Sequence, residues 1–262
     1  MTQFVCLSGL PRSGSTALSA ILSQNPAIHA EGNSAVCQLM WDMNLSCTKN
    51  VTEQLEANDR QYTIHDMMVQ IPNTYYRNVQ RGTKVIVDKC RAWTLAANVE
   101  LLRKYIDLKI KIIVLERPVT DVIKSFAKLY KHNAWSDTFS HKCLNEMLIH
   151  DSEPIMRPLK GIREAKANNS DNTFLFIQYD DFVNEPQATM DRIYQFCGWV
   201  PFQHTFQGIV NKHPENDESY KLKGFHDIRS TLGKEENTIV LPPDVLEKCK
   251  QIDTFMGYIL NL

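Results

Sequence analysis

The feature that most constrains the fold is a glycine-containing loop between an apolar segment and a helical pattern near the N-terminus. Residues 4–16 read FVCLSGLPRSGST, in which Gly9 and Gly14 have the Gly-x-x-x-x-Gly spacing of a phosphate-binding loop. Glycines allow backbone N–H groups to converge on an anion, and the N-terminus of the following helix adds a favourable dipole. A tight turn with a serine cap would give part of this pattern, but strand, loop and helix in this order favour phosphate binding.

Four short apolar segments predict the strands of a parallel sheet covered on both faces, because none of them alternates between apolar and polar residues. They are residues 4–8, 84–87, 110–115 and 173–177. Helical patterns follow at residues 15–23, 94–105, 119–130, 185–197 and 242–258, whereas segments 34–83 and 131–172 suggest only helical and irregular structure. We therefore expect an α/β fold, a P-loop-like doubly wound parallel sheet flanked by helices, in a single domain over residues 1–262.

The composition argues against several classes of protein. The 262 residues include 29 Lys and Arg and 30 Asp and Glu, for a formal net charge of −1, so a general basic surface is not expected. No apolar stretch approaches the ~20 residues of a membrane helix, and the first residues lack a signal-peptide pattern. The seven cysteines and eight histidines show no disulfide framework or zinc-site spacing. We expect a cytoplasmic protein with no metal, no nucleic-acid partner and no membrane association.

The loop departs from the ATP-binding form of the motif. Ser15 occupies the position of the Walker A lysine, and Arg12 lies inside the loop, so the site fits a phosphate that is not part of a metal-bound triphosphate. The sequence PRSGST resembles in full the phosphosulfate-binding loop of the sulfotransferases, Pro-Lys/Arg-Ser-Gly-Thr/Ser-Thr. The resemblance implies that the loop binds 3′-phosphoadenosine 5′-phosphosulfate (PAPS) through Pro11, Arg12, Ser13, Gly14, Ser15 and Thr16.

A second match follows the third predicted strand. Arg117 ends the stretch KIIVLER, and Ser125 comes eight residues later, which is the spacing at which sulfotransferases hold the 3′-phosphate of PAPS. Pro118, directly after the arginine, departs from the family's usual Arg-Asp/Asn-Pro. An arginine and a serine at this spacing are weak evidence alone. Together with PRSGST they imply a nucleotide that has phosphates at both ends of its ribose.

Sulfuryl transfer needs cations near the bridging oxygen and a base for the acceptor hydroxyl. Arg12 is one candidate cation, and Lys89 is the other, because it ends the strand KVIVDK, where ligands gather in open α/β sheets. The stretch VDKCRAWTL resembles Asn-Lys-Asp-Pro-Phe-Thr-Leu of the tyrosylprotein sulfotransferases, whose lysine is catalytic. In NPAIHAEGNS, Glu31 matches their Gly-Glu-Glu segment one residue out of register, which implies a general base. His29 is the alternative, since imidazole titrates near neutral pH.

Two further segments extend the resemblance to about half of the chain. FLFIQYDDFVNEP resembles the sulfotransferase stretch in which a strand leads to Tyr-Glu-Asp-Leu, and it implies that Tyr179 faces the nucleotide. STLGKEENTIVLPPDVL resembles the C-terminal end of the tyrosylprotein sulfotransferases with a two-residue insertion. It implies a basic loop over the nucleotide that includes Arg229, Ser230 and Lys234. Among sulfotransferases, the motifs resemble those of the tyrosylprotein group most closely.

The resemblance implies an enzyme that transfers a sulfuryl group from PAPS to a hydroxyl acceptor (phenolic, tyrosyl or sugar/alcohol) and releases adenosine 3′,5′-bisphosphate (PAP). Two alternatives remain open. A P-loop small-molecule kinase using ATP–Mg²⁺ is suggested by VIVDK, in which Asp88 would end a magnesium-binding strand. A non-catalytic nucleotide-binding module would keep the fold without turnover, since a fold alone does not establish chemistry.

Overall fold

Five parallel strands form the sheet around which the chain is organised. The computed structural model describes residues 2–234 and 236–258. The strands are β1 (Gln3–Gly9), β2 (Ile28–Asn33), β3 (Val85–Lys89), β4 (Lys111–Glu116) and β5 (Phe174–Gln178). Their order is β2-β3-β1-β4-β5, and each neighbouring pair is parallel. Because β1 is central, the loop that follows it opens in the middle of the carboxyl edge of the sheet.

Helices cover both faces of this sheet. The described residues form α1 (Ser15–Leu22), α2 (Val36–Leu45), α3 (Thr52–Ala57), α4 (Thr63–Tyr75), α5 (Ala96–Tyr105), α6 (Val119–His132), α7 (Asp137–Glu146), α8 (Met156–Ala167), α9 (Tyr179–Asn184), α10 (Pro186–Cys197) and α11 (Pro243–Met256). Two 3₁₀ helices (Arg91–Thr94 and Asp217–Tyr220) and a π-helical turn (Ser46–Asn50) complete the elements. None of the described helices is both long and apolar enough to cross a membrane.

Two apolar cores lie on opposite faces of the sheet. Along β1, Val5 and Leu7 pack with α1, α9 and α10, whereas Cys6 between them packs with α2, α5, α6, α8 and α11. In β4, Ile112 and Ile113 divide between the same two cores. Burial of both faces explains why the central strands read as unbroken apolar segments. The predicted fold class is confirmed, and the described residues form one α/β domain.

The four predicted strands and the five predicted helices are present, with ends shifted by a few residues. In the two segments without a clear pattern, the structure adds α2, α3 and α4 and then α7 and α8. The sequence analysis missed β2, the strand that contains Glu31. β2 is at the edge of the sheet, where Ile28 and Ala30 are buried but the alternate residues His29 and Glu31 are polar. The other strands were predicted from unbroken apolar segments, and these polar residues prevent such a segment in β2.

A buried carboxylate joins α11 to the start of α6. Asp253 is fully buried and accepts hydrogen bonds from Val119 N at 2.5 Å, Thr120 N at 3.0 Å and Thr120 Oγ1 at 2.6 Å. Burial raises the pKa of Asp253, although the hydrogen bonds to Thr120 and Val119 oppose the shift. The contact satisfies N–H groups in the first turn of α6 that have no partner within the helix. It thereby fixes the helix that carries Ser125.

Replacing this carboxylate tests the contact. We expect Asp253→Ala to lower the free energy of unfolding by about 2–3 kcal/mol, because buried N–H groups lose a charged acceptor. Urea denaturation measures the change. The control is Glu247→Ala, at an exposed position of the same helix, which we expect to change stability by less than about 0.5 kcal/mol. Equal effects of the two substitutions would contradict the proposed anchoring.

Candidate active site

The loop between β1 and α1 packs so closely that two of its positions require glycine. Gly9 has φ 142° and Gly14 has φ 95°. A Cβ on Gly9 would lie 2.4 Å from the carbonyl oxygen of Leu115, and one on Gly14 would lie 3.0 Å from the ring of Tyr179. The loop is therefore held against β4 and α9. Since α1 begins directly after Gly14, its unpaired N-terminal N–H groups lie at the mouth of the loop.

A cavity of about 410 Å³ opens over this loop at the carboxyl edge of the sheet. Its size lies within the range of small-molecule and cofactor sites. Among the sequence-predicted residues, those that line it are Pro11, Arg12, Gly14, Ser15, Thr16, Lys89, Arg117, Ser125, Tyr179 and Arg229. Ser13 also belongs to the loop, but it is fully buried and does not line the cavity. The cavity thus unites loop residues with predicted residues from β3, α6, α9 and the segment before α11.

The two predicted anion-binding motifs are in direct contact. Arg117 Nη1 donates a hydrogen bond to Arg12 O at 2.8 Å, and Arg12 Nε donates to Ser125 Oγ at 3.1 Å. Arg12 also donates to the carbonyl oxygen of Phe225. The guanidinium of Arg117 lies 4.2 Å from the ring centroid of Tyr179, a cation–π geometry. Motifs about a hundred residues apart in sequence therefore form one site.

The electrostatics of this site favour an anionic ligand. Burial, and then the adjacent Arg117, lower the pKa of Arg12. Ser13 Oγ and Arg117 Nε are buried and have no hydrogen-bond partner within the described residues. A buried donor without an acceptor is costly. A phosphate-type oxyanion in the cavity fits these surroundings, because it would offset the repulsion between the two guanidinium groups.

Lys89 lies against the loop at the carboxyl end of β3. Its Nζ is 3.3 Å from Thr16 Oγ1 and 3.5 Å from Glu215 Oε2. Burial lowers the pKa of Lys89, whereas Glu215 raises it. The ammonium group is therefore held at the side of the loop, between Thr16 and Glu215.

Three functional candidates in the segment between α10 and α11 were not found from the sequence. Glu215 approaches Lys89 and accepts a hydrogen bond from Asn33 N at 2.9 Å. His226 Nδ1 lies 2.6 Å from Asp217 Oδ1. The segment has no regular apolar period, so its sequence does not distinguish these residues from ordinary loop residues. The contact of Glu215 with Lys89 in the folded chain does.

Asp88 occupies the core and not the cavity. It is fully buried and accepts hydrogen bonds from Ser34 Oγ at 2.6 Å, Tyr76 OH at 2.7 Å and Trp93 Nε1 at 2.6 Å. Burial raises the pKa of Asp88, with the three hydrogen bonds opposing the shift. Its oxygens are committed to structural donors, which argues against the magnesium-binding strand of the kinase alternative.

The predicted base and its alternative lie together on β2, outside the residues that line the cavity. Glu31 Oε2 is 3.0 Å from His29 Nε2. His213 brings a third potential ligand atom, and the three lie within 4.8 Å of one another, a set that could hold a metal ion. The roles of Glu31 and His29, and the expectation that no metal is needed, stay predictions.

The predicted basic loop is only partly directed at the cavity. Arg229 lines it and donates to the carbonyl oxygen of Gly233. Lys234 instead pairs with Asp180 at 2.9 Å, and Ser230 accepts a hydrogen bond from Ile209 N through its backbone. Neither Ser230 nor Lys234 lines the cavity, so their contact with a nucleotide stays a prediction.

The protein is an α/β protein with a P-loop-like oxyanion site. Three features define this class: the parallel sheet, the glycine loop after its central strand and the paired guanidinium groups. Residues 5–203 match the sequence profile of the Sulfotransferase family, so the chain belongs to that family and is a transferase of sulfuryl groups. The further similarity to the tyrosylprotein sulfotransferases stays a prediction. Comparison with curated protein sequences gives no significant match.

Solved structures of sulfotransferases share the fold over the whole chain. The sulfotransferase domain from the curacin biosynthetic pathway is 18% identical, with a TM-score of 0.61, over 99% of this chain and 98% of that one. The sulfotransferase domain of the Synechococcus PCC 7002 olefin synthase is 18% identical, with a TM-score of 0.58, over 99% and 96%. A sulfotransferase from Alicyclobacillus acidocaldarius is 12% identical, with a TM-score of 0.54, over 99% and 97%.

The packing of the loop can be tested at its second glycine. We expect Gly14→Ala to lower the free energy of unfolding by about 1–2 kcal/mol, because an L-residue at φ 95° is strained. Its Cβ would also meet the Tyr179 ring. Chemical denaturation compares it with Gly233→Ala, where a Cβ meets no atom within 4 Å. If the two variants are equally stable, the loop is less tightly packed than described.

Proposed function

We propose that the chain transfers the sulfuryl group of PAPS to a hydroxyl acceptor, with PAP as the second product. Family membership supports the transfer chemistry. The observation that supports PAPS as the donor is the contact of Arg117 and Ser125 with Arg12, because it joins two oxyanion sites in one cavity. A nucleotide with phosphate groups at both its 3′ and 5′ positions matches that arrangement.

In this proposal the two ends of the donor have separate partners. The 5′-phosphosulfate lies over the loop from Pro11 to Thr16, where the N-terminus of α1 stabilises negative charge. The 3′-phosphate accepts hydrogen bonds from Arg117 and Ser125. Tyr179 packs against the guanidinium of Arg117 and keeps it in place. Arg229, Ser230 and Lys234 belong to the loop over the nucleotide.

The transfer step requires charge stabilisation on the leaving oxygen. The acceptor oxygen attacks sulfur, and the bond between sulfur and the bridging phosphate oxygen breaks. Lys89 and Arg12 supply positive charge next to that oxygen. The ammonium group of Lys89 contacts Thr16 and so lies beside the loop. Such preorganised charge is commonly the largest contribution to catalysis of this type. The acceptor is phenolic, tyrosyl or a sugar or other alcohol.

Ligand-dependent melting separates this function from the kinase alternative. We expect PAP to stabilise the protein by ~2.7 kcal/mol at a hundredfold excess over its dissociation constant, with no comparable effect of ATP–Mg²⁺. A chelator should leave the PAP effect unchanged. Arg117→Ala should abolish most of it, because the 3′-phosphate loses its charged donor, whereas Arg192→Ala, at an exposed site, should not. Stabilisation by ATP–Mg²⁺ alone would support the kinase instead.

Substitution of the lysine separates catalysis from binding. We expect Lys89→Ala to lower turnover of PAPS by about 10²–10³-fold while the PAP dissociation constant changes less than about threefold, since a transition-state donor is lost. Calorimetry and PAP release measure the two effects, with the exposed Lys248→Ala as control. Loss of PAP binding with unchanged turnover would contradict a catalytic role for Lys89. Nucleotide binding without turnover in the wild type would indicate a non-catalytic module.

A further inference from the structure

A second cluster of charged side chains lies beside the proposed transfer site. Glu215, Asp217 and His226 come from the segment between α10 and α11, and all three side chains are largely buried, with 11%, 16% and 13% of their area exposed. Ionisable groups are seldom buried without a structural or chemical reason. The proposed function so far uses none of them.

Asp217 fixes the orientation of the His226 ring. Its Oδ1 lies 2.6 Å from His226 Nδ1, and its Oδ2 accepts a hydrogen bond from His226 N at 3.1 Å. Both carboxylate oxygens therefore contact the same residue. A neutral ring that carries its proton on Nδ1 donates to this carboxylate and leaves the lone pair on Nε2. In that tautomer the ring can accept a proton at Nε2.

The opposite ring nitrogen is directed at a carboxylate that also contacts Lys89. His226 Nε2 lies 3.3 Å from Glu215 Oε2, and Lys89 Nζ lies 3.5 Å from that same oxygen. Both His226 and Lys89 line the cavity, whereas Glu215 does not. An acceptor hydroxyl that approaches the sulfur beside Lys89 would therefore meet the imidazole.

Glu215 is held in place by its surroundings. Its Oε1 accepts the hydrogen bond from Asn33 N at 2.9 Å, and its side chain lies so close to Gly32 that a Cβ there would be 2.2 Å away. A carboxylate seated in this way can hold Lys89 and stabilise a protonated His226. Because it is behind the cavity wall, it is not itself placed to contact the acceptor.

We propose that His226 is the base that takes the proton of the acceptor hydroxyl, and that Asp217 is the residue that positions it. This proposal rests on the proposed function. As the acceptor O–S bond forms and the S–O bond to PAP breaks, the hydroxyl proton moves to His226 Nε2. Asp217 and Glu215 stabilise the resulting imidazolium from either side. The sulfate ester and PAP leave, and the ring returns its proton to water.

The same geometry disfavours the base predicted from the sequence. Glu31 and His29 contact each other, and neither lines the cavity. The titratable groups around His226 are Asp217 and Glu215 in direct contact, Tyr220 in edge contact with the ring, and Lys89 on the far side of Glu215. Asp227 follows it in the chain, and Arg12 is bonded to the carbonyl oxygen of the preceding residue, Phe225.

The test follows 35S-labelled PAPS, with 2-naphthol as added acceptor and with water as the sole acceptor in parallel reactions. We expect His226→Gln to lower turnover by about 10²–10³-fold, within the range of general-base catalysis. The PAP dissociation constant should change less than about threefold. Added imidazole should restore part of the activity of His226→Ala but none of that of Lys89→Ala. His150→Gln, at a side chain that is 88% exposed, is the matched control.

Asp217→Asn distinguishes positioning from a structural role. Turnover of PAPS should fall in Asp217→Asn while the PAP dissociation constant is unchanged, and Asp217→Glu should restore part of the turnover, because a carboxylate can again contact His226 Nδ1. A loss of turnover that Asp217→Glu does not restore, or an equal loss of PAP binding, would assign Asp217 a structural role only and overturn its part of the proposal.

The remaining outcomes separate this inference from the function on which it rests. If His226→Gln keeps its turnover while Glu31→Gln or His29→Gln loses it, His226 is not the base, and the sulfuryl transfer still stands. If the wild type binds no PAP, or binds it and releases none from PAPS even to water over a long incubation, the proposed function fails and the inference fails with it.

Discussion

Two guanidinium groups buried side by side are the constraint on which the site depends. Arg12 has φ 62°, a left-handed conformation that costs an L-residue about 1–2 kcal/mol, and Arg117 donates to the carbonyl oxygen of that same residue. The hydrogen bond holds the strained loop, and the loop in turn places the two positive charges together. Burial and Arg117 both lower the pKa of Arg12. A bound anion would offset this effect, because it stabilises the charged form of both arginines.

The sheet determines which side chains can reach that anion. β1 pairs with β3 so that Leu7 lies opposite Lys89, and it pairs with β4 so that Gly9 lies opposite Leu115. Two strands that are distant in sequence therefore end on either side of the loop. One delivers Lys89 and the other leads to Arg117. Parallel pairing is thus the physical reason that short motifs at three strand ends converge in one cavity.

The sequence predicts those parts of the site that depend on local pattern. PRSGST, Lys89 and the Arg117–Ser125 spacing each lie at the end of an apolar strand, so both their fold context and their position could be inferred. β2 was missed because polar residues alternate with Ile28 and Ala30, and an edge strand buries less of itself. The contacts of Glu215 and His226 could not be inferred, since they depend on long-range packing of a segment without a regular period. Asp88 shows the converse case, because the pattern that would suit a metal ligand in the kinase alternative belongs to a buried acceptor of three hydrogen bonds.

Beside the candidate active site, Lys89, Glu215, His226 and Asp217 contact one another in series. Glu215 raises the pKa of Lys89 and so opposes the effect of burial on this ammonium group. Glu215 also connects the sheet to the irregular segment after α10, because its side chain packs against Gly32 and accepts a hydrogen bond from Asn33 N. Loops held by a few such contacts can vary without disturbing the sheet. In the proposed mechanism, a donor site fixed by strand ends is combined with a base carried on a loop, an arrangement that permits the acceptor side to change while the transfer chemistry is retained.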